Sequence, residues 1–324
     1  LEKRKEIDIL GVNILYFVTA MLLLTVGYYV QNKDLKMGLV ITEYVLVLLP
    51  PLIYIKLKGY GFKRVLRLNP LSIKHSLIVI AITILVYPIA LFFNLIVMTF
   101  ISTIGKIQSP PIPTANNITE YFILMVIIAM SAGICEEIFF RGLVLRGYEE
   151  LGSIHAVVIS SLLFGLFHFN IQNFAGPVVL GLVFGYLVYR TGSLFAGMIG
   201  HMTNNGIAVT LGFLMNLVKD QLPQSNMDTM SQIPNTLSLS VATIFVGVIA
   251  TITGIGAYFL LRIIIKDTKN RKENRDIEDI RLEKEDESIE ISNKTSIYVF
   301  TPILLTVIIF IYVAYSQLKY MMLQ

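Results

Sequence analysis

Apolar residues fall into nine runs, near positions 10–30, 37–55, 76–104, 121–150, 154–171, 174–190, 193–216, 237–265 and 297–318. Each is long enough to cross roughly 30 Å of hydrocarbon at about 1.5 Å per residue. The pattern predicts an all-α, polytopic transmembrane bundle of about nine spans. The fourth run is interrupted within Gly133–Gly147 by Glu136, Glu137 and Arg141. Each charge at a bilayer centre costs about 2.5–3.5 kcal/mol on insertion scales. Three unpaired charges would together cost about as much as the net stability of a domain. Pairing and a chemical role are the usual reasons to keep such groups, so this stretch is expected to line a membrane-embedded cavity.

Composition supports the membrane class. The 324 residues are 55% hydrophobic and 15% charged, with a mean hydropathy of +0.71, whereas soluble chains carry about 25% charge. A formal charge of +4 is too small to suggest a nucleic-acid partner. Its distribution says more. Lys3, Arg4 and Lys5, the cluster Lys56 to Lys74, Arg190, and the group Arg262 to Lys272 all fall on one side if the spans alternate. The positive-inside rule then places the N-terminus in the cytoplasm and the C-terminus outside a multi-pass cell-membrane protein. The single cysteine, Cys135, excludes an intrachain disulfide. No cleavable signal peptide is expected, because the first apolar run is long enough to span.

These runs divide the chain into two N-terminal spans (1–59), a core (60–216), an outer loop with the eighth span (217–265), a charged cytoplasmic linker (266–294) and a ninth span (295–324). The linker makes the ninth span look like an appendage. Residues 56–75 are basic and amphipathic, fit either to lie on the anionic cytoplasmic leaflet or to form an ordinary positive-inside loop. Residues 105–119, with three prolines, read as an extended outer loop. Gly181 and Gly185 suggest close helix packing.

Spacing brings the polar residues of successive spans together. Gly152-Ser153 is the first good break after Arg141, and Glu136 and His168 each lie 16 residues from Gly152. In an antiparallel hairpin that means equal depth, about 20–24 Å along each helix, so the two are expected to meet. His201 and Asn205, four apart, share a helix face. Glu137 and Arg141 are also four apart, in the favourable order for an internal ion pair. Glu136 points about 100° away and is left free to work. Cys135 is expected to pack, Phe139, Phe140, Phe164 and Phe167 to form cavity wall, and His75 and His155 to sit at the interface. Asn204 competes locally with Asn205. Glu43 either pairs internally or lines an entry path.

The set Glu136-Glu137-x-x-x-Arg141, Phe164-x-x-x-His168 and His201-x-x-x-Asn205 resembles the three motifs of the CAAX-protease and bacteriocin-processing (Abi) family. These intramembrane endopeptidases, often classed as metalloendopeptidases, include the type II CAAX prenyl endopeptidase of eukaryotes. The resemblance covers about residues 60–216. It implies that Glu136 and His168 activate a water, that His201 and Asn205 stabilise the oxyanion, and that Glu137, Arg141 and Phe164 support them. Shielding from water strengthens a carboxylate as a base, and oriented donors in a dry site suit an oxyanion. No cofactor is required on one version of this chemistry. On the other, a divalent metal such as zinc would be held by Glu136, His168 and His201. The metal-free version is preferred, since no His-Glu-x-x-His is present. The implied partners are membrane lipid and a peptide, lipidated protein or membrane protein as substrate. The alternatives are a non-proteolytic scaffold or regulator, as in bacteriocin immunity, and a transporter, which the lack of visible related halves disfavours.

Overall fold

The computed structural model describes residues 7–108, 113–219, 235–269 and 297–323. The charged linker, beyond its first few residues, lies outside the described residues, as do Lys3, Arg4, Lys5, Pro110 and Pro111. Nine helical rods of ten residues or more make up the described residues, which contain no strand. They are α1 (Ile9–Lys33), α2 (Leu35–Leu57), α3 (Ile73–Ser102), α4 (Ile118–Leu151), α5 (Ser153–Leu166), α6 (Ala175–Thr191), α7 (Leu194–Lys219), α8 (Asn235–Asp267) and α9 (Ile297–Met322).

Seven of these, taking the single turn Ile171–Asn173 with α6, are long and apolar enough to cross a membrane. The other two depart from a simple span for different reasons. At 14 residues α5 reaches only about 21 Å. Helix α7 has the length, but His201, Thr203, Asn204, Asn205 and Thr210 dilute its apolar character. The chain is thus an all-α membrane bundle in which the least apolar rod carries His201 and the shortest one leads directly into His168.

Helix starts follow local capping. Asp34, Ser72 and Asn117 precede α2, α3 and α4, and their side chains accept from Met37 N, His75 N and Glu120 N. Two glycines make the tight turns: Gly152 at φ 99° separates α4 from α5, and Gly192 at φ 63° separates α6 from α7. Gly181 abuts Ser161 and Gly185 abuts Val157, so α5 and α6 run antiparallel with their backbones close, as the small-residue spacing suggested.

Helix α4 is not regular. Met125–Ser131 and Ile138–Val144 are π-helical, on either side of the α-helical Ala132–Glu137. The wider turns leave carbonyls that neighbours use: Ile128 O accepts from Asn205 Nδ2 at 3.1 Å, and Phe140 O from Ser160 Oγ at 3.1 Å. Such bulges concentrate at functional sites.

The basic segment between α2 and α3 does more than lie on a surface. Val65, Leu66 and Arg67 are buried. Arg67 pairs with Glu149 at the end of α4, its carbonyl accepts from Leu194 N at 3.1 Å, and Asn69 Nδ2 donates to Gly192 O at 2.8 Å. Lys56, Lys58, Lys63 and Arg64 stay exposed. Nor is α9 an appendage. Asn13 of α1 donates to Val299 O at 2.8 Å and accepts from Tyr148 of α4 at 2.6 Å. Phe310 packs on Phe169 and Phe174, and Lys106 N donates to Met321 O at 3.0 Å.

Candidate active site

The site lies at the seam between two cores. One is built on Tyr16, Phe139, Phe140, Phe164 and Phe167; the other includes Phe184, Val79 and Ile82. Arg141 is buried between them, its guanidinium 4.3 Å from the Phe164 ring and 5.9 Å from the Phe184 ring. Arg141 Nη1 donates to Glu137 Oε1 at 2.6 Å, the ion pair that the i,i+4 spacing predicts. Both side chains are essentially excluded from solvent, so each charge depends on the other for its stability.

His201 is the hub. Its Nδ1 lies 3.0 Å from Glu137 Oε1 and its Nε2 lies 3.7 Å from Glu136 Oε2. Arg141 keeps Glu137 an acceptor, so Nδ1 carries the proton and Nε2 faces Glu136. The ring stacks on Phe184 at 6.0 Å and meets Phe164 edge-on at 5.7 Å. Glu137 therefore orients His201 as well as balancing Arg141, a link between α4 and α7 that neighbouring spacing could not reveal. A usable signal does exist. Gly197 lies four residues before His201, on the same face, and a Cβ there would come within 2.2 Å of Glu137 Oε2. Only a glycine lets the carboxylate lie against α7.

Glu136 is the contrasting group. Its side chain is 14% exposed, and Oε2 has no hydrogen-bond partner among the described residues. Asn205 donates to Ile128 O and accepts from Asn204 Nδ2 at 3.0 Å. Asn204 thus holds Asn205 rather than replacing it, and one Asn205 N–H remains.

The equal-depth argument for His168 holds only in part. Helix α5 stops at Leu166, and His168 turns back so that Nδ1 lies 2.9 Å from Phe164 O. A carbonyl only accepts, so Nδ1 is the donor and Nε2 keeps its lone pair. His168 joins the group through Phe164, whose ring lies 5.1 Å away, and makes no hydrogen bond or ion pair with Glu136. For the same reason the conditional metal set fails. Among the described residues no three His, Cys, Asp or Glu side chains gather closely enough to hold a metal ion. His168 also makes no hydrogen bond with Glu136, the first member of that set. The residues present do not fit a metal held by Glu136, His168 and His201, and no step below runs through one.

Glu43 makes no ion pair among the described residues. It is buried beside the start of the motif, with Oε2 unpartnered, while the adjacent Tyr44 hydroxyl accepts from Ser131 Oγ at 3.1 Å. Cys135 is fully buried. Two apolar surface grooves, of about 350 and 510 Å³, lie along α4 and α7 and hold none of the motif residues.

Comparison with known proteins finds similarity over the same part of the chain. Over 90 residues the chain is 30% identical to the Bacillus subtilis (strain 168) protein named "Putative membrane peptidase YdiL", a match covering 27% of this chain and 37% of that protein. The chain thus spans little more than a third of that curated relative's length. No solved structure matches it significantly. Residues 118–207 match the family described as Rce1-like, type II CAAX prenyl endopeptidase. That segment holds Glu136, Glu137, Arg141, Phe164, His168, His201 and Asn205, so the likeness to the Rce1-like family covers every residue of the candidate site.

Proposed function

We propose that this chain is an intramembrane endopeptidase that hydrolyses a peptide bond of a membrane-associated peptide or protein. One observation carries the proposal. Of two adjacent glutamates, the fully buried Glu137 meets Arg141 and His201 through Oε1 and turns Oε2 against Gly197, while Glu136, partly exposed, holds an oxygen beside the His201 imidazole that makes no hydrogen bond. A structural ion pair needs only the first. The family that the segment matches and the relative's name as a membrane peptidase support the same reading.

In the proposed reaction Glu136 takes a proton from a water molecule, and the oxygen bonds to the scissile carbonyl carbon. His168 orients that water by accepting through Nε2. Charge develops on the carbonyl oxygen, where the remaining Asn205 N–H and a protonated His201 Nε2 donate. Because Nδ1 keeps its proton and donates it in a hydrogen bond to Glu137, His201 donates from Nε2 only as imidazolium, which Glu137 stabilises. The intermediate collapses as the carbon–nitrogen bond breaks, and protonated Glu136 returns its proton to the leaving amine. The products are a carboxylic acid and an amine. The N-terminus is proposed to be cytoplasmic and the C-terminus outside, with lipid around the bundle and a peptide, lipidated protein or membrane protein as substrate.

The test compares protein termini in membranes from cells making the wild-type chain and cells making Glu136→Gln at matched levels. New peptide ends with the wild type alone are expected, and they identify the substrate and the cut. Identical sets of termini would sink the protease proposal in favour of a scaffold or regulator.

A further inference from the structure

The turn after His168 is held from outside the family-matched segment. Because α5 ends at Leu166, the backbone from 163 to 173 needs partners where water is scarce. Leu163 O accepts from Tyr16 of α1 at 2.8 Å, and Phe164 O accepts from His168. Two further backbone groups, one on each side of the turn, are met by a single side chain. Gln317 of α9 donates from Nε2 to Phe169 O at 2.8 Å and accepts at Oε1 from Ile171 N at 3.1 Å. Between His168 and these bonds sits Phe169 at φ 44°, a left-handed conformation that a bulky residue keeps only when its surroundings hold it. Phe169 is directly bonded to His168, so relaxation there re-aims the imidazole.

We infer that Gln317 is a positioning residue for His168, and that α9 is therefore a working part of the site. The chemistry asks for an amide: one donor and one acceptor, at the spacing of the two turn groups. Glutamate keeps the acceptor and loses the donor. Leucine loses both. The effect on turnover rests on the endopeptidase reading; the effect on His168 does not.

The experiment uses the full chain in lipid nanodiscs with isotope-labelled histidine. The four histidines are assigned by single substitution. In Gln317→Leu the His168 ring signals are expected to shift while those of His201 stay at their wild-type positions. Cleavage of the substrate found from the termini should fall at least tenfold in kcat with little change in KM. Gln317→Glu should fall between, and it also serves if the leucine variant fails to insert. Unmoved His168 signals would overturn the inference. So would His201 signals moving equally, which marks a general loosening, or unchanged kcat with a shifted His168. If wild type yields no new termini, the protease proposal fails, and the His168 signals still decide the positioning claim.

Discussion

At the scale of residues, charge is tolerated inside this bundle because the two most deeply buried charges of the motif, Glu137 and Arg141, face each other. Glu137 serves two cations-in-waiting, Arg141 by a direct pair and His201 through Nδ1. Arg141→Met would leave Glu137 buried without its strongest partner, and a loss of about 3–5 kcal/mol is expected. Thermal unfolding in detergent checks this, and the double variant Glu137→Gln with Arg141→Met should be less destabilised than the single one. A double-mutant cycle showing no coupling would contradict the described pair. The i,i+4 rule makes this pair legible in sequence, because both members lie on one helix. The bond from Glu137 to His201 is not legible, since it depends on how α4 and α7 face each other and on Gly197 permitting that approach. Asn205's commitment to Ile128 is hidden for a related reason: no residue in Met125–Ser131 signals that its turns are widened.

At the scale of elements, length and hydropathy make the rods visible, but not where a rod stops short. The break at Gly152 and the antiparallel return of α5 follow from a single glycine and the match of small residues on α5 and α6. The end of α5 at Leu166, in contrast, is followed by a turn that tertiary bonds from Tyr16 and Gln317 brace. That is why His168 reaches the site through Phe164 and not by facing Glu136 directly. The α5–α6 contact itself can be tested. A Cβ at Gly181 would lie 2.8 Å from Ser161 Cβ and 2.9 Å from its Cα, backbone that cannot step aside cheaply. Gly181→Ala is expected to destabilise by about 1–3 kcal/mol, measured by the midpoint of thermal unfolding. A midpoint equal to wild type would mean the two helices do not approach this closely.

At the scale of the whole molecule, the alternation of rods underlies the proposed orientation, and the chain carries its own reporter background. Cys135 is fully buried, so it should not react with a membrane-impermeant maleimide. Lys58→Cys, on the exposed basic segment, is expected to label only in opened cells, and Lys106→Cys, at the far end of α3, in intact ones. The reverse pattern would invert the topology. The basic loops are what that proposed orientation rests on, whereas the integration of α9 is not readable at all, because a charged linker separates it in sequence from everything it touches. The bond that joins Gln317 to Ile171 spans 146 residues of chain. At a synthesis rate of about 5–20 residues per second, the turn beside His168 waits roughly 7–30 seconds after it is made before its clamp emerges. The nascent chain therefore spends that interval in the membrane with its histidine unset, and the proposed catalytic site is completed only after nearly all the neighbouring helices are already in place.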